Sequence, residues 1–298
     1  MKLLILTRFP AEYEPKRLAE EALKIGLRPE IVSYGKVGLS WAKGGISVDL
    51  PSGKDFFDFD FFVFRSSSHR NRKSLVGLKT ALMSSLPKDK FALNRQTFSR
   101  WPVLGKVEQG ALLVRKGVFV IPSWFLPDKA DREIFYRKVP FPLICKARFG
   151  SHSRKTFKLE DRLEAEKLLR EEAGEFFFQP LVKSHFYWRV LVLGGKVLGA
   201  MKRETNRRFL KEAPGLETPG FEPASSLETQ IKTLALEATR ALKAEFGGVD
   251  ILIDEEKNPM VIEVNRTPQF KIFEKRLEIN VAREIIDYLT SKAKKRHK

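Results

Sequence analysis

The chain has 298 residues, 43% of them hydrophobic, enough for two folded domains, and no apolar run nears the ~20 residues of a membrane span. A single cysteine, Cys145, excludes an internal disulfide and fits a reducing, cytoplasmic setting. The net charge of +18 points to an acidic partner, whether nucleic acid, an anionic protein tail or phosphates.

Leu3–Leu6 is too short for a signal peptide and is followed by Arg8, so it reads as a buried first strand. Lys16–Ile25 places Leu18, Ala19, Ala22, Leu23 and Ile25 on a helical stripe, and Gly26 stands where a terminating glycine would. Glu30–Tyr34 and the Phe-rich stretch Phe56–Phe64 follow as strands. Strand–helix–strand order predicts a parallel sheet, an α/β start. The aromatic run lies inside a strand pattern, which favours core over a base-stacking platform.

Past Asn94, Lys106–Lys116 predicts a helix and Pro122 breaks the chain. Phe141–Ala147 reads as a strand, Leu159–Ala173 as a charged amphipathic helix and Phe176–Val182 as another strand. Tyr187–Met201 forms a hairpin around Gly194-Gly195, Leu227–Leu242 a long helix, and Arg276–Leu289 one closing helix. Hairpins among helices give an α+β body behind the α/β start. The basic end Ser291–Lys298 reads as a solvated tail. The four histidines, His69, His152, His185 and His297, have no metal-ligand spacing. Abundant Lys, Arg and Glu with one Cys and four Met is similar to thermophile composition.

The stretch Gly247–Pro268 is the most informative. Two apolar runs flank the polar turn Asp254–Pro259, the pattern of a β-hairpin. Glu263 and Asn265, two apart on one strand, share a face, and Asp250 can meet them from the neighbouring strand. Three oxygen donors on one sheet face suit magnesium, with manganese as the alternative.

Asp-x-apolar followed by Glu-x-Asn-x-x-Pro resembles the metal-binding hairpin of RimK-like ATP-grasp ligases. Further likenesses are the opening Met1–Gly26, Asn94-Arg95-Gln96 with Lys106, the strand Phe141–Lys146, the hinge Phe178–Val182 and the hairpin Tyr187–Arg203. The loop Gly150-Ser151-His152-Ser153-Arg154 and the segment Asn265–Lys271 are similar to the lysine/arginine-biosynthesis ligases, which modify an acidic carrier protein. The chain departs from the pattern in four places. Its loop has one glycine, its hinge carries Pro180 in place of a glutamate, Tyr187 replaces an acidic residue, and residues 207–211 lack an Arg-x-Asn segment.

The resemblance implies an ATP-grasp fold with an N-terminal parallel domain over residues 1–93, a small lid subdomain over 94–185, a C-terminal subdomain with the metal site over 186–290, and a tail over 291–298. It implies ATP and magnesium as cofactors. Asp250, Glu263 and Asn265 would hold the metal; Lys106, Lys146, Ser151 and Lys202 would meet the phosphates; Gln179, Pro180 and Leu181 would grip adenine. Pro180 cannot donate a hydrogen bond, so Gln179 and Leu181 would do so through the backbone. Arg189 and Arg203 would hold the acylphosphate or the acceptor carboxylate, since a guanidinium pairs with two oxygens at once. Lys202 and Arg203 are adjacent on a strand and face opposite ways, so at most one reaches the site directly.

The activity implied is an ATP-dependent carboxylate–amine ligase that joins glutamate or a related amino acid to an acidic peptide or protein end. The partner would be a ribosome or a carrier protein, away from any membrane, and the enzyme a homo-oligomer. A degenerate nucleotide-binding ATP-grasp protein and a basic RNA- or ribosome-binding module are the competing readings.

Overall fold

A computed structural model describes residues 1–67, 74–127, 130–149, 156–172, 174–184, 186–204 and 220–294. The chain opens with β1 (Lys2–Thr7), α1 (Tyr13–Lys24) and β2 (Arg28–Ser33), then a small antiparallel hairpin of β3 (Gly38–Ala42) and β4 (Gly45–Asp49). β5 (Phe61–Phe64), α2 (Ser74–Ser85) and β6 (Phe91–Ala92) complete this part. The strands pair in parallel in the order β2-β1-β5-β6. Both faces are covered, which is why β1 is a continuous apolar run. Leu3 and Ile5 pack against Leu18 and Ala22 of α1, while Leu4 and Leu6 pack with Tyr34, Phe56 and Phe62 on the other side.

The expected strand Phe56–Phe64 is shorter than predicted. Asp55 Oδ1 accepts from the Phe57 amide at 2.9 Å and starts a 3-10 turn over Phe56–Asp58, so only Phe61–Phe64 is extended. The hairpin β3–β4 and the helix α2 are absent from the sequence reading.

Next come α3 (Arg95–Arg100) and α4 (Lys106–Val114), followed by β7 (Trp124–Phe125), α5 (Arg132–Tyr136), β8 (Leu143–Ala147), β9 (Thr156–Leu159), α6 (Arg162–Glu172) and β10 (Phe176–Pro180). The last four strands form an antiparallel sheet, β7-β10-β8-β9. Cys145 and Phe178 face the core beneath it with Leu169 and Phe135, so Lys146 and Gln179, one residue on, face the other way.

The final sheet runs β13-β12-β11-β14-β15, all antiparallel. Its strands are β11 (Phe186–Leu193), β12 (Lys196–Glu204), β13 (Phe221–Pro223), β14 (Phe246–Ile253) and β15 (Pro259–Asn265), with α7 (Thr229–Ala241) between β13 and β14. α7 sets Ile231, Leu234, Ala235 and Ala238 against Val190, Val249 and Ile251. Leu113 and Val118 join this same core, so α4 packs with the C-terminal sheet and not with the β7–β10 sheet that follows it.

The single closing helix of the sequence reading is two, α8 (Lys271–Leu277) and α9 (Val281–Lys294). Glu278 adopts φ +55° and breaks the run, and Asn280 Oδ1 accepts from the Arg283 amide at 2.9 Å to start the second helix. α9 then crosses back to the N-terminal part, where Ile285, Ile286 and Leu289 share a core with Leu3, Ile5 and Leu18. Asn94 makes a second tie. At φ +62° its side chain donates to the carbonyls of Phe246 (2.7 Å) and Arg266 (2.8 Å) and accepts from the Phe246 amide (2.9 Å). Among the described residues no helix is long and apolar enough to cross a membrane.

Candidate active site

Strand register builds the site. Asp250 of β14 lies opposite Arg189 of β11 on one side and opposite Glu263 of β15 on the other. Directly opposed residues of an antiparallel pair share a face, so the three side chains stand in a row across three strands, on the face that α7 leaves uncovered. Asn265 opposes Gly248 on the same face. Its Oδ1 accepts from the Thr267 amide at 2.9 Å, which orients the side-chain amide.

Asp250 is buried, and Arg189 grips it with two bonds of 2.6 Å, Nε to Oδ1 and Nη2 to Oδ2. Burial outweighs that bond and leaves the Asp250 carboxyl above its usual range. Burial alone would lower the Arg189 guanidinium, but the bonds and charge of Asp250 raise it. The Glu263 side chain is 28% exposed and pairs with Lys106 Nζ at the start of α4. Burial would raise its carboxyl, but the Lys106 charge and hydrogen bond outweigh this and hold it low, with help from Arg189 and Lys146.

Lys146 stands on β8. Its Nζ donates to Gln179 Oε1 at 2.8 Å, and Gln179 Nε2 donates to Ser123 Oγ at 2.9 Å. Burial first, and then the charge of Lys106, push the Lys146 ammonium down to about 8, against the pull of Glu263 and Asp250. The Gln179 side chain therefore holds a lysine, a role separate from the backbone contact expected of it. The Leu181 amide already donates to the Pro142 carbonyl at 3.0 Å, so Leu181 has no free donor at the hinge. Pro180, opposite Leu143, ends β10 beside it. Close by, Leu252, Met260 and Ile121 form an apolar floor with Val182, Tyr187 and Ile262 at its edge.

Lys202 lies elsewhere. It pairs with Trp188 on the face that α7 covers. Its Nζ sits 4.9 and 4.8 Å from the ring centroids of Phe186 and Trp188 and 3.8 Å from Glu222. Arg203, one residue on, lies opposite Tyr187 and faces the site. Ser151 and its loop, 150–155, lie outside the described residues.

The sequence reading missed Gln109. Its Nε2 donates to the Val264 carbonyl (3.0 Å) and its Oε1 accepts from the Val264 amide (2.6 Å), bracing the strand between Glu263 and Asn265. A polar residue beside an apolar helical stripe is the one trace it leaves in the sequence. Among the described residues no group of three or more His, Cys, Asp or Glu could hold a metal ion. The donor set here is two carboxylates and an amide.

Residues 105–289, more than half of the chain, match the RimK-like ATP-grasp domain. The chain belongs to the RimK-like ATP-grasp family. As a member it is an ATP-dependent ligase that forms an amide bond. Over 303 aligned residues this RimK-like chain is 25% identical to a protein of Legionella pneumophila (strain Corby) named "Probable alpha-L-glutamate ligase", covering 99% of the chain and 97% of that protein. It is 26% identical over 188 residues to the "Glutamate--LysW ligase ArgX" of Sulfolobus acidocaldarius, covering 59% of the chain and 65% of that protein. Among solved structures, the ATP-grasp ligase PsnB, complexed with a phosphomimetic variant of its minimal precursor, Mg and ADP, superposes with a TM-score of 0.72 at 19% identity, covering 97% of each chain. That likeness shows the ATP-grasp fold.

Proposed function

We propose that this ligase joins glutamate or a related amino acid to an acidic peptide or protein end, through an acylphosphate, with ATP and magnesium at the face that carries Asp250 and Glu263. The observation that carries the reading is the pair of opposed carboxylates set within reach of Lys106 and Lys146. Magnesium prefers carboxylate and amide oxygens and keeps phosphate oxygens as its remaining ligands. Asp250, Glu263 and Asn265 offer that donor set, and when bound the metal supplies positive charge to the triphosphate.

The chain's own groups divide the work. Lys106 and Lys146 neutralise phosphate oxygens, and Gln179 fixes where Lys146 points. The floor of Leu252 and Met260 suits the flat, apolar face of adenine. An acceptor carboxylate oxygen attacks the γ-phosphorus, the bond to the β-phosphate oxygen breaks, and ADP leaves. The amine of the incoming amino acid then attacks the acyl carbon, phosphate departs with the C–O electron pair, and the nitrogen loses its proton. Arg203 faces the site and would hold the acyl oxygen anion or the acceptor carboxylate. Arg189 reaches substrate only as its bond to Asp250 loosens. We leave Lys202 out of the site because it faces the α7 side. The +18 charge suits an acidic acceptor, and the LysW-directed relative makes a small acidic carrier protein the first candidate.

The test is ADP release with MgATP, L-glutamate and a panel of acidic acceptors, beside calorimetric titration of ATP with and without magnesium. Acceptor-dependent ADP release and magnesium-dependent binding are expected. Binding that ignores magnesium would remove the metal assignment, and ADP release that ignores every acceptor would remove the acceptor class.

A further inference from the structure

A second cluster of positive charge lies at the carboxyl ends of β1 and β5. Arg65 follows β5 and is 5% exposed; Lys79, on α2, is 7% exposed. Lys79 Nζ sits 3.3 Å from the centroid of the Phe98 ring and donates to the Arg65 carbonyl at 3.4 Å. Arg266 also lies over Phe98, at 4.7 Å, and one of its two terminal nitrogens donates to the carbonyls of Thr97 and Trp101. At the edge, the partly exposed Arg8 has a buried Nη1 with no hydrogen-bond partner.

Among the described residues, acidic groups do not balance this cluster. Glu14 is 3.9 Å from Arg65, and its other oxygen accepts from the amides of Phe270 and Lys271. Glu12 acts on Arg65 from a distance. Lys79 forms no ion pair among the described residues, and burial together with Arg266 and Arg65 pushes its ammonium well below the usual lysine range. A buried cation without a counter-ion is expensive, and such groups mark sites where a ligand supplies the missing charge.

The cluster also adjoins the catalytic face. Arg65 Nη1 donates to the Pro268 carbonyl at 2.9 Å. Pro268 packs against Gly248 so closely that a Cβ there would lie 3.0 Å from the proline and 4.0 Å from Arg189 Cδ. Arg266 directly follows Asn265. We propose that Arg65, Lys79 and Arg266, with Arg8 at the edge, form an anion subsite for a substrate carboxylate, distinct from the carboxylate that ATP activates. This rests on the ligase reading for its substrates. The carboxylate belongs either to the incoming amino acid or to the acceptor, and each source has its own arm in the test.

The full chain is titrated calorimetrically with L-glutamate and with a tri-glutamate peptide, both in the presence of MgADP, and ADP release is then measured with each substrate varied. Lys79→Met is expected to weaken binding of one of the two at least tenfold and raise its KM alike. MgADP affinity should stay unchanged, and Lys79→Arg should restore much of the loss. Weakened L-glutamate binding assigns the subsite to the incoming amino acid; weakened peptide binding assigns it to the acceptor. Arg8→Met, at a partly exposed position, carries the same expectation should Lys79→Met fail to fold. Unchanged binding in these variants overturns the subsite, as does a wild-type chain that binds neither probe. Carboxylate binding lost in Lys79→Met by a chain that never releases ADP would keep the subsite and discard the ligase reading. ADP release at unchanged KM for both substrates would do the reverse.

Discussion

The two charge clusters use similar side chains in opposite ways. At the face proposed for catalysis Arg189 and Lys106 each hold a carboxylate, and Lys146 is tied to Gln179. At the carboxyl ends of β1 and β5, Lys79 has a carbonyl and an aromatic ring but no acid among the described residues. The first cluster is balanced within the chain, and in the proposed function its lysines exchange their partners for phosphate. The second is complete only with an anion from outside. Charge that is balanced can be built for chemistry, whereas charge left over specifies a ligand.

Removing charge from the balanced cluster should have the largest effect. Glu263→Gln removes the ion-pair partner of Lys106 and one of the two carboxylates proposed for the metal, and turnover should fall about a thousandfold, measured by ADP release on protein whose circular dichroism is unchanged. Unchanged turnover would mean the carboxylate pair is structural. Lys146→Met should weaken MgATP binding about a hundredfold by calorimetry. The same titration gives a pH signature. The Lys146 ammonium is held down at about 8, so near that pH a substantial share of it is neutral, and phosphate favours the charged form. ATP binding near pH 8 should therefore take up protons, and affinity should decline as pH rises through that value. Below about pH 7 the uptake should vanish, and in Lys146→Met it should be absent at every pH.

Asn94→Ala sharpens the comparison from outside both clusters. It deletes hydrogen bonds that tie β14 and the loop after β15 to the N-terminal part, and unfolding stability should fall by about 2–4 kcal/mol in urea. The nucleotide affinity of the folded protein should change much less. The smallest contrast is between neighbours on β12. Arg203→Ala should reduce kcat/KM for the acceptor about tenfold, while Lys202→Ala should change it less than about twofold. Equal effects would contradict the face assignment.

Much of the fold was legible because its signals are local. The runs Leu3–Leu6 and Phe61–Phe64, the stripe of α1 and the turn Asp254–Pro259 each carry their own pattern. The breaks were harder to read. The turn at Asp55 and the left-handed Glu278 each depend on one residue inside an otherwise continuous stretch. α2 has no clear apolar stripe, because the buried Lys79 reaches over Phe98 into the same core that Leu82 and Met83 fill. In the site, the Glu263–Asn265 spacing gave a shared face directly. The choice between Lys202 and Arg203 needed the pairing register of β11 and β12, which alternation alone does not supply. Gln109, Asn94 and the Lys79 cluster join residues far apart in the chain, and no short window holds both ends.

The return of α9 to the first strand also bears on how the protein is made. Leu3, Ile5 and Leu18 leave the ribosome roughly 270–290 residues before Ile285, Ile286 and Leu289, which complete their core. At about 5–20 residues per second, the N-terminal sheet waits roughly 15–60 s with one apolar face covered by α1 alone. Completion of that N-terminal core is thus postponed until α9 has been made, and a nascent chain truncated before α9 would expose an adhesive surface that the folded protein conceals.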